Sequence, residues 1–323
     1  MSSGSVLAFS GGVGGAKLAL GLAEVLPPER LTVVVNTGDD EEFFGLHVAP
    51  DLDTIMYTLA GIVNEETGWG VAGETFHSLE MLGRYGAPGW FRLGDRDLAT
   101  HVLRRQRLDE GRTLSEVTEE LCRRLGIRHR IVPMSDHPVR TVVETDEGDL
   151  AFQSYFVERH CQPRVRGLRF EGASKALPAP NAASALRSAS TLIFCPSNPW
   201  LSVDPILAVP GIREAVESFR GRRLAVSPIV GGKALKGPAG KIMSELGYEV
   251  STIGIADYYR GWCDMLVIDE TDRAELPSIE TRGLSAYTAA TVMRTKEDKV
   301  ALARAVCRIA DVAMEQVGES RTS

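Results

Sequence analysis

The chain has 323 residues, enough for one large domain or about two of roughly 150 residues each. Hydrophobic residues make up 44% and charged residues 24%, a balance that excludes disordered, collagenous and membrane-spanning chains. The 36 Lys and Arg against 43 Asp and Glu leave a net charge of -7, which repels a phosphate backbone and excludes a general nucleic-acid binder.

The N-terminus, MSSGSVLAF, has no basic region or long apolar segment, so no signal peptide is visible and a cytoplasmic protein is expected. Apolar stretches such as Leu18 to Leu26 are broken by Gly21 and Glu24, far short of the ~20 residues that span a bilayer. Val6 to Phe9 reads as a first strand, followed by Ser10-Gly11-Gly12-Val13-Gly14-Gly15-Ala16-Lys17 and a helical pattern. Glycines there admit close backbone approach, and the helix start offers unpaired N–H groups to an anion. A tight strand-to-helix turn without a ligand is the alternative. The loop is not a Walker A sequence, because Ala16 precedes Lys17 and Leu18 follows it. Nor is it the dinucleotide fingerprint, whose third glycine position, counted from Gly12 and Gly14, is Lys17.

A second strand, Leu31 to Val35, leads into Asn36-Thr37-Gly38-Asp39-Asp40, and soon after into Pro50-Asp51-Leu52-Asp53-Thr54 before the helical stripe Ile55, Met56, Leu59, Ile62 and Val63. One of these aspartates can cap the helix. Carboxylates from two loops at one sheet edge can also hold a hard cation such as Mg²⁺, which takes one or two protein ligands plus phosphate oxygens. Residues 61–126 show helical periodicity and no convincing strand, with a capping box at Thr113 and Glu116 before Val117, Leu121 and Leu125. Within this stretch Phe91-Arg92-Leu93-Gly94-Asp95-Arg96-Asp97-Leu98-Ala99-Thr100-His101 carries alternating charges. They read either as a solvated salt-bridged turn or as an anion- or ring-binding cluster at Arg92 and Arg96. Leu98, Val102 and the stem of Arg105 are expected to share a helix face.

From Ile131 to Phe156, TVVET and AFQSYF flank the turn-like DEGD, which predicts a hairpin. Further strands are read at Leu192 to Cys195, Leu224 to Ser227 and Met265 to Ile268. Cys195-Pro196-Ser197-Asn198-Pro199 follows the first of these, with side chains suited to a phosphate or base. The glycine-rich stretch from Ser227 to Lys241, with Lys233, Lys236 and Lys241, reads as a mobile positive lid. Lys296 to Val317 has the spacing of a closing helix. The five cysteines lie more than thirty residues apart with no metal spacing, which excludes a zinc site and a disulfide scaffold. Near-continuous apolar strands alternating with helices predict a doubly wound α/β core with a mainly parallel sheet, formed by 1–60 and 127–323, and a small helical insertion at 61–126.

SGGVGGAK, VVVNTGDD, PDLDT, FRLGDRDLATH, CPSNPWLSVDPIL and SPIVGGKALKGPAGK, in this order over nearly the whole chain, resemble the 2-phospho-L-lactate transferase family of coenzyme F420 biosynthesis. The resemblance implies a Rossmann-like three-layer core and transfer of a phosphorylated three-carbon acid, 2-phospholactate or phosphoenolpyruvate, from its guanylyl diphosphate to the terminal ribityl hydroxyl of the deazaflavin Fo, with release of GMP. It also implies Mg²⁺ and a homodimer. By analogy Asp39 and Asp53 hold the metal, with Asp40 and Asp51 as alternates. Asp53, Arg92 and Arg96 face Fo, with Asp53 and Arg96 in the catalytic centre and Asp53 as the best-placed base. Gly11, Gly12, Gly14, Gly15, Lys17, Ser197 and Asn198 hold the guanylyl diphosphate. A non-catalytic UDP-sugar-binding regulator of gluconeogenesis shares the glycine-rich start but lacks PDLDT and GDRD in this form. A NAD-dependent oxidoreductase requires the missing third glycine.

Overall fold

The computed structural model describes residues 4–234 and 237–314. Seven strands, β1 (Val6–Ser10), β2 (Leu31–Val35), β3 (Arg130–Pro133), β4 (Thr191–Phe194), β5 (Arg222–Val226), β6 (Met265–Asp269) and β7 (Ser285–Ala289), form one sheet. Their spatial order is β7-β6-β5-β4-β1-β2-β3, with every neighbouring pair parallel. The chain winds outward from β1 to β3, returns to β4 and winds outward the other way. The order therefore reverses between β1 and β4, which opens a crevice at their carboxyl ends.

Alternate strand residues enter two cores, because successive side chains of a strand point to opposite faces. Val6, Ala8, Val33, Val35, Ile193 and Val226 face one layer; Leu7, Phe9, Val34, Leu192, Phe194 and Ile268 face the other. The first layer contains α1 (Gly12–Val25), α2 (Pro50–Leu59) and the C-terminal helix Lys296–Ile309. A Cβ on Gly21 would lie 2.1 Å from the Lys299 carbonyl oxygen, so only glycine lets α1 and the C-terminal helix approach this closely. The second layer includes Pro180–Ser188, Ile212–Glu217 and Thr252–Tyr259. The result is an α/β, Rossmann-like three-layer fold.

Residues 61–126 contain α3 (His77–Arg84), α4 (Asp95–Asp109) and α5 (Leu114–Arg124). The last is started by the expected capping box of Thr113 and Glu116, and its Leu114, Val117, Leu121 and Cys122 join the first core layer as the crossover helix into β3. The aliphatic face expected for α4 is not the buried one. Val102 is 50% exposed, whereas His101 and Arg104 are the buried residues of that helix.

A three-stranded antiparallel sheet places Arg140–Thr145 between Gly148–Ala151 and Val165–Glu171. The predicted hairpin is present, but its second strand ends at Ala151, and Ser154–Glu158 turns into a short helix. The Lys-rich stretch is a tight hairpin, Ile229–Val230 with Lys233–Ala234, turned by Gly231 and Gly232, both at positive φ. Lys241 is tied to Glu245 (2.6 Å) and the Pro163 carbonyl (2.7 Å), so it is a structural cation instead of a lid residue. Lys236 and the end of the predicted closing helix lie outside the described residues. The five cysteines are unbridged, and among the described residues no helix is long and apolar enough to cross a membrane.

Candidate active site

The turn after β1 is short, because α1 begins at Gly12. Gly12 has φ of +62°, a left-handed value that glycine adopts without strain, and a Cβ on Gly14 would lie 2.2 Å from the Pro196 carbonyl oxygen. Part of the glycine content thus serves loop-on-loop packing. Gly11 and Ser197 are paired: the Ser197 hydroxyl donates to the Gly11 carbonyl (2.7 Å) and accepts from the Gly11 N–H (3.2 Å). The β1 and β4 loops meet at the switch point, as their sequences suggested. Asn198 caps the following turn through Oδ1, which accepts from Trp200 N (3.1 Å), and its buried Nδ2 has no protein partner. Lys17 donates to the Met293 carbonyl (2.8 Å), which ties α1 to the segment after β7.

The second wall comes from the β2 loop and the start of α2. Asn36, buried at the end of β2, donates through one amide nitrogen to Asp39 Oδ1 (3.3 Å) and Asp51 Oδ2 (3.0 Å), and accepts from Gly38 N (2.8 Å). Asp51 Oδ1 accepts from Gly12 N (2.6 Å), so this α2 residue caps α1 and not its own helix. Two carboxylates therefore converge beside the N-terminal end of α1. Burial and the charges of Asp51 and Asp40 push the Asp39 pKa well above the ordinary range. Burial raises Asp51 to about 6 against the opposing hydrogen bonds from Asn36 and Gly12. Asp40 bonds His47 through Oδ2 (2.8 Å), while its buried Oδ1 has no protein partner. An all-oxygen pair destabilised by its own charge, with an orphaned carboxylate oxygen next in sequence, fits a hard divalent cation.

Asp53 lies elsewhere. Both of its oxygens are held by the Arg104 guanidinium, Oδ2 at 3.0 Å from Nη1 and Oδ1 by Nη2, and both residues are buried. Asp51, the alternate on α2, is the carboxylate that shares the Asn36 amide with Asp39, whereas Asp53 is ion-paired with Arg104. The physical cause is the helix itself, since residues two apart point about 200° apart around the axis. Among the described residues, Asp53, Asp97 and His101 offer ligand atoms within 4.8 Å of one another. Arg104 already neutralises Asp53 there, so an added cation would have to displace a buried guanidinium.

The GDRD segment is built by reciprocal caps. Asp95 accepts from His77 N and Ser78 N (both 2.9 Å) at the start of α3, while Glu74 accepts from Arg96 N (2.8 Å) and Asp97 N (2.7 Å) at the start of α4. Hydrogen bonds from Thr75 and Ser78 hold the Asp95 carboxyl below the usual range. Arg96 and Arg92 are exposed; Arg96 donates to the Ala72 carbonyl (2.9 Å), and Arg92 lies 4.4 Å over the Phe76 ring. The loop that holds Arg96 returns to the glycine turn, where a Cβ on Gly68 would lie 2.5 Å from a Val13 methyl. Asn36, His101 and Arg104 were missed as site residues. The position of Asn36 at a strand end was the available signal, whereas nothing in the sequence marked the charged face of α4 as buried.

Comparison with known proteins gives concordant results. A profile of the family described as 2-phospho-L-lactate transferase CofD matches residues 6–311. A 2-phospho-L-lactate transferase of Methanopyrus kandleri is 45% identical over 307 residues, 94% of this chain and 96% of that protein. A phosphoenolpyruvate transferase of Streptomyces griseus is 42% identical over 312 residues, covering 95% and 98%. A crystal structure of a upf0052 family member from Bacillus halodurans superposes with a TM-score of 0.62 at 16% identity, covering 95% of this chain and 99% of that one, a likeness of fold.

Proposed function

Because the chain belongs to the 2-phospho-L-lactate transferase CofD family, we propose that it is a transferase that moves a phosphorylated three-carbon acid from its guanylyl diphosphate to the ribityl hydroxyl of Fo, releasing GMP. The observation that carries this reading is the single Asn36 amide that gathers Asp39 and Asp51 beside the start of α1, at the switch point where an open α/β sheet binds its ligand. The three-carbon acid is phospholactate or phosphoenolpyruvate, the two donors named for relatives at similar identity.

In the reaction the hydroxyl oxygen bonds to the phosphorus that bears the acid and gives up its proton to water, the bond from that phosphorus to the bridging oxygen breaks, and GMP leaves with the electron pair. Such transfers ask mainly for alignment and for neutralisation of spreading charge. The α1 start and the free Nδ2 of Asn198 receive diphosphate oxygens. Arg92 and Arg96 receive the deazaflavin. Asp39 and Asp51 are the residues that would hold Mg²⁺, which supplies charge neutralisation at the diphosphate. Asp53, bound on both oxygens by Arg104, supports the α2–α4 contact and is withdrawn as the base. A homodimer, testable by light scattering, completes the proposal.

The decisive test is incubation with Fo, Mg²⁺ and each guanylyl-activated acid, followed by mass analysis. GMP and a phosphodiester of Fo are expected. Absence of both with either acid, together with tight binding of a UDP-sugar, overturns the reading in favour of a non-catalytic regulator.

A further inference from the structure

Between α2 and α4 lies a layer of polar side chains to which the proposed reaction assigns no chemical task. Tyr57, His101 and Arg104 are each about 1% exposed, and Asp53 is 4% exposed. Arg104 Nη1 stands 3.2 Å from His101 Nδ1. A guanidinium has only donors, so Nδ1 is the acceptor and the imidazole proton sits on Nε2, which lies 3.2 Å from Asp97 Oδ1, a close approach outside hydrogen-bond geometry. Asp97 Oδ1 also accepts from the Tyr57 hydroxyl (2.7 Å), which is 2.8 Å from Thr100 Oγ1. Asp53 and Tyr57 both belong to α2, and Asp97, His101 and Arg104 to α4. The contacts run Asp53, Arg104, His101, Asp97, Tyr57, and α2, which carries both ends, closes them into a ring across the helix pair.

Burying an ion pair is no more stabilising than aliphatic packing of similar volume, so stability alone does not explain such a layer. What directional bonds add is a single relative orientation of the two helices, where apolar surfaces would admit sliding. Each helix starts at a different side of the proposed reaction: α2 with Asp51 at the donor side, and α4 with Arg96 at the acceptor side. We propose that Tyr57, His101 and Arg104 are positioning residues, whose ring holds Arg96 at a set distance from Asp51 and so aligns the acceptor hydroxyl with the donor. This inference rests on the transferase reading above.

Tyr57→Phe removes one hydroxyl and keeps the buried ring, while Arg104→Lys keeps the charge and loses the fork that grips both oxygens of Asp53. Each variant is expected to raise the KM for Fo about tenfold, the weight of one hydrogen bond to a charged group. The KM for the guanylyl donor should stay within about twofold of the wild type. Melting temperature is measured in parallel. Should Arg104→Lys fail to fold, Tyr57→Phe alone carries the comparison. An unchanged KM for Fo, or equal changes for both substrates, overturns the positioning role. Wild-type protein without activity on Fo would instead overturn the transferase reading, so the two failures are distinguishable.

Discussion

Asp51 and Asp53 stand two residues apart on the first turn of α2, yet their environments are opposite. Asp51 meets a second carboxylate, Asp39, across one shared amide; Asp53 meets the two-pronged guanidinium of Arg104. The first arrangement is repulsive when both groups are ionised, and their raised pKa values express that repulsion together with burial. The second is already neutral and carries its own positive charge. One helix turn thus presents the proposed binding centre on one side and an ion-paired joint on the other, and the residue type does not distinguish them.

The sharpest way to break this comparison is Asp53→Asn. It leaves Arg104 buried beside a neutral amide, and loss of one partner of a buried pair costs about 3 to 5 kcal/mol. A marked fall in melting temperature is expected, whereas a variant as stable as wild type would show that Arg104 does not depend on Asp53. Asp39→Asn and Asp51→Asn should behave in the contrary manner, remaining folded while turnover falls on the order of 100-fold, the scale of a lost electrostatic stabiliser. Mg²⁺ should raise the melting temperature of the wild type and not of these two variants. Equal stabilisation by Mg²⁺ in all three would remove Asp39 and Asp51 from the metal site.

On the acceptor side, Arg92→Ala and Arg96→Ala should each weaken Fo binding by about 1 to 3 kcal/mol, read by titration, with little change for a guanine nucleotide. Equal losses for both ligands would make these arginines supports of the fold. A further carboxylate, the half-buried Asp204, calibrates the comparison, because it bonds a tyrosine hydroxyl and lies within reach of the Arg213 charge. Burial raises it to about 6, against the hydrogen bond from Tyr258 (2.7 Å). A folded-state pKa above the unfolded value means stability is greatest at low pH and declines as pH rises from about 4 to 6, with no further change above. Asp204→Asn should therefore be more stabilising relative to the wild type at pH 8 than near pH 4. A gain that is the same at both pH values would exclude the carboxyl as its source.

Much of the architecture was legible because its physics is local. Strands such as Val6–Ser10 and Met265–Asp269 are buried on both faces and so are apolar throughout, and the turns that follow them carry the residues that meet at the switch point. Ser285–Ala289 escaped notice because it is an edge strand, half exposed along its length. The contact of the Lys17 ammonium with the Met293 carbonyl joins residues 276 apart in sequence, so no local pattern could reveal it.

The sequence by itself determined the βα alternation, the glycine turn, the acidic segments at the ends of β2 and at the start of α2, and the family these motifs denote. These follow from periodicity, backbone permissiveness and motif order, none of which needs a partner distant in the chain. Only the tertiary structure decided that Asp51 instead of Asp53 joins Asp39, and that the charged face of α4 is the buried one. Those outcomes depend on how α1, α2 and α4 rotate against one another, and a helix places each residue about 100° from the last, so a two-residue step changes which neighbour a carboxylate meets. The charge of a side chain is written in the sequence, but whether that charge is compensated depends on residues brought near it by the fold.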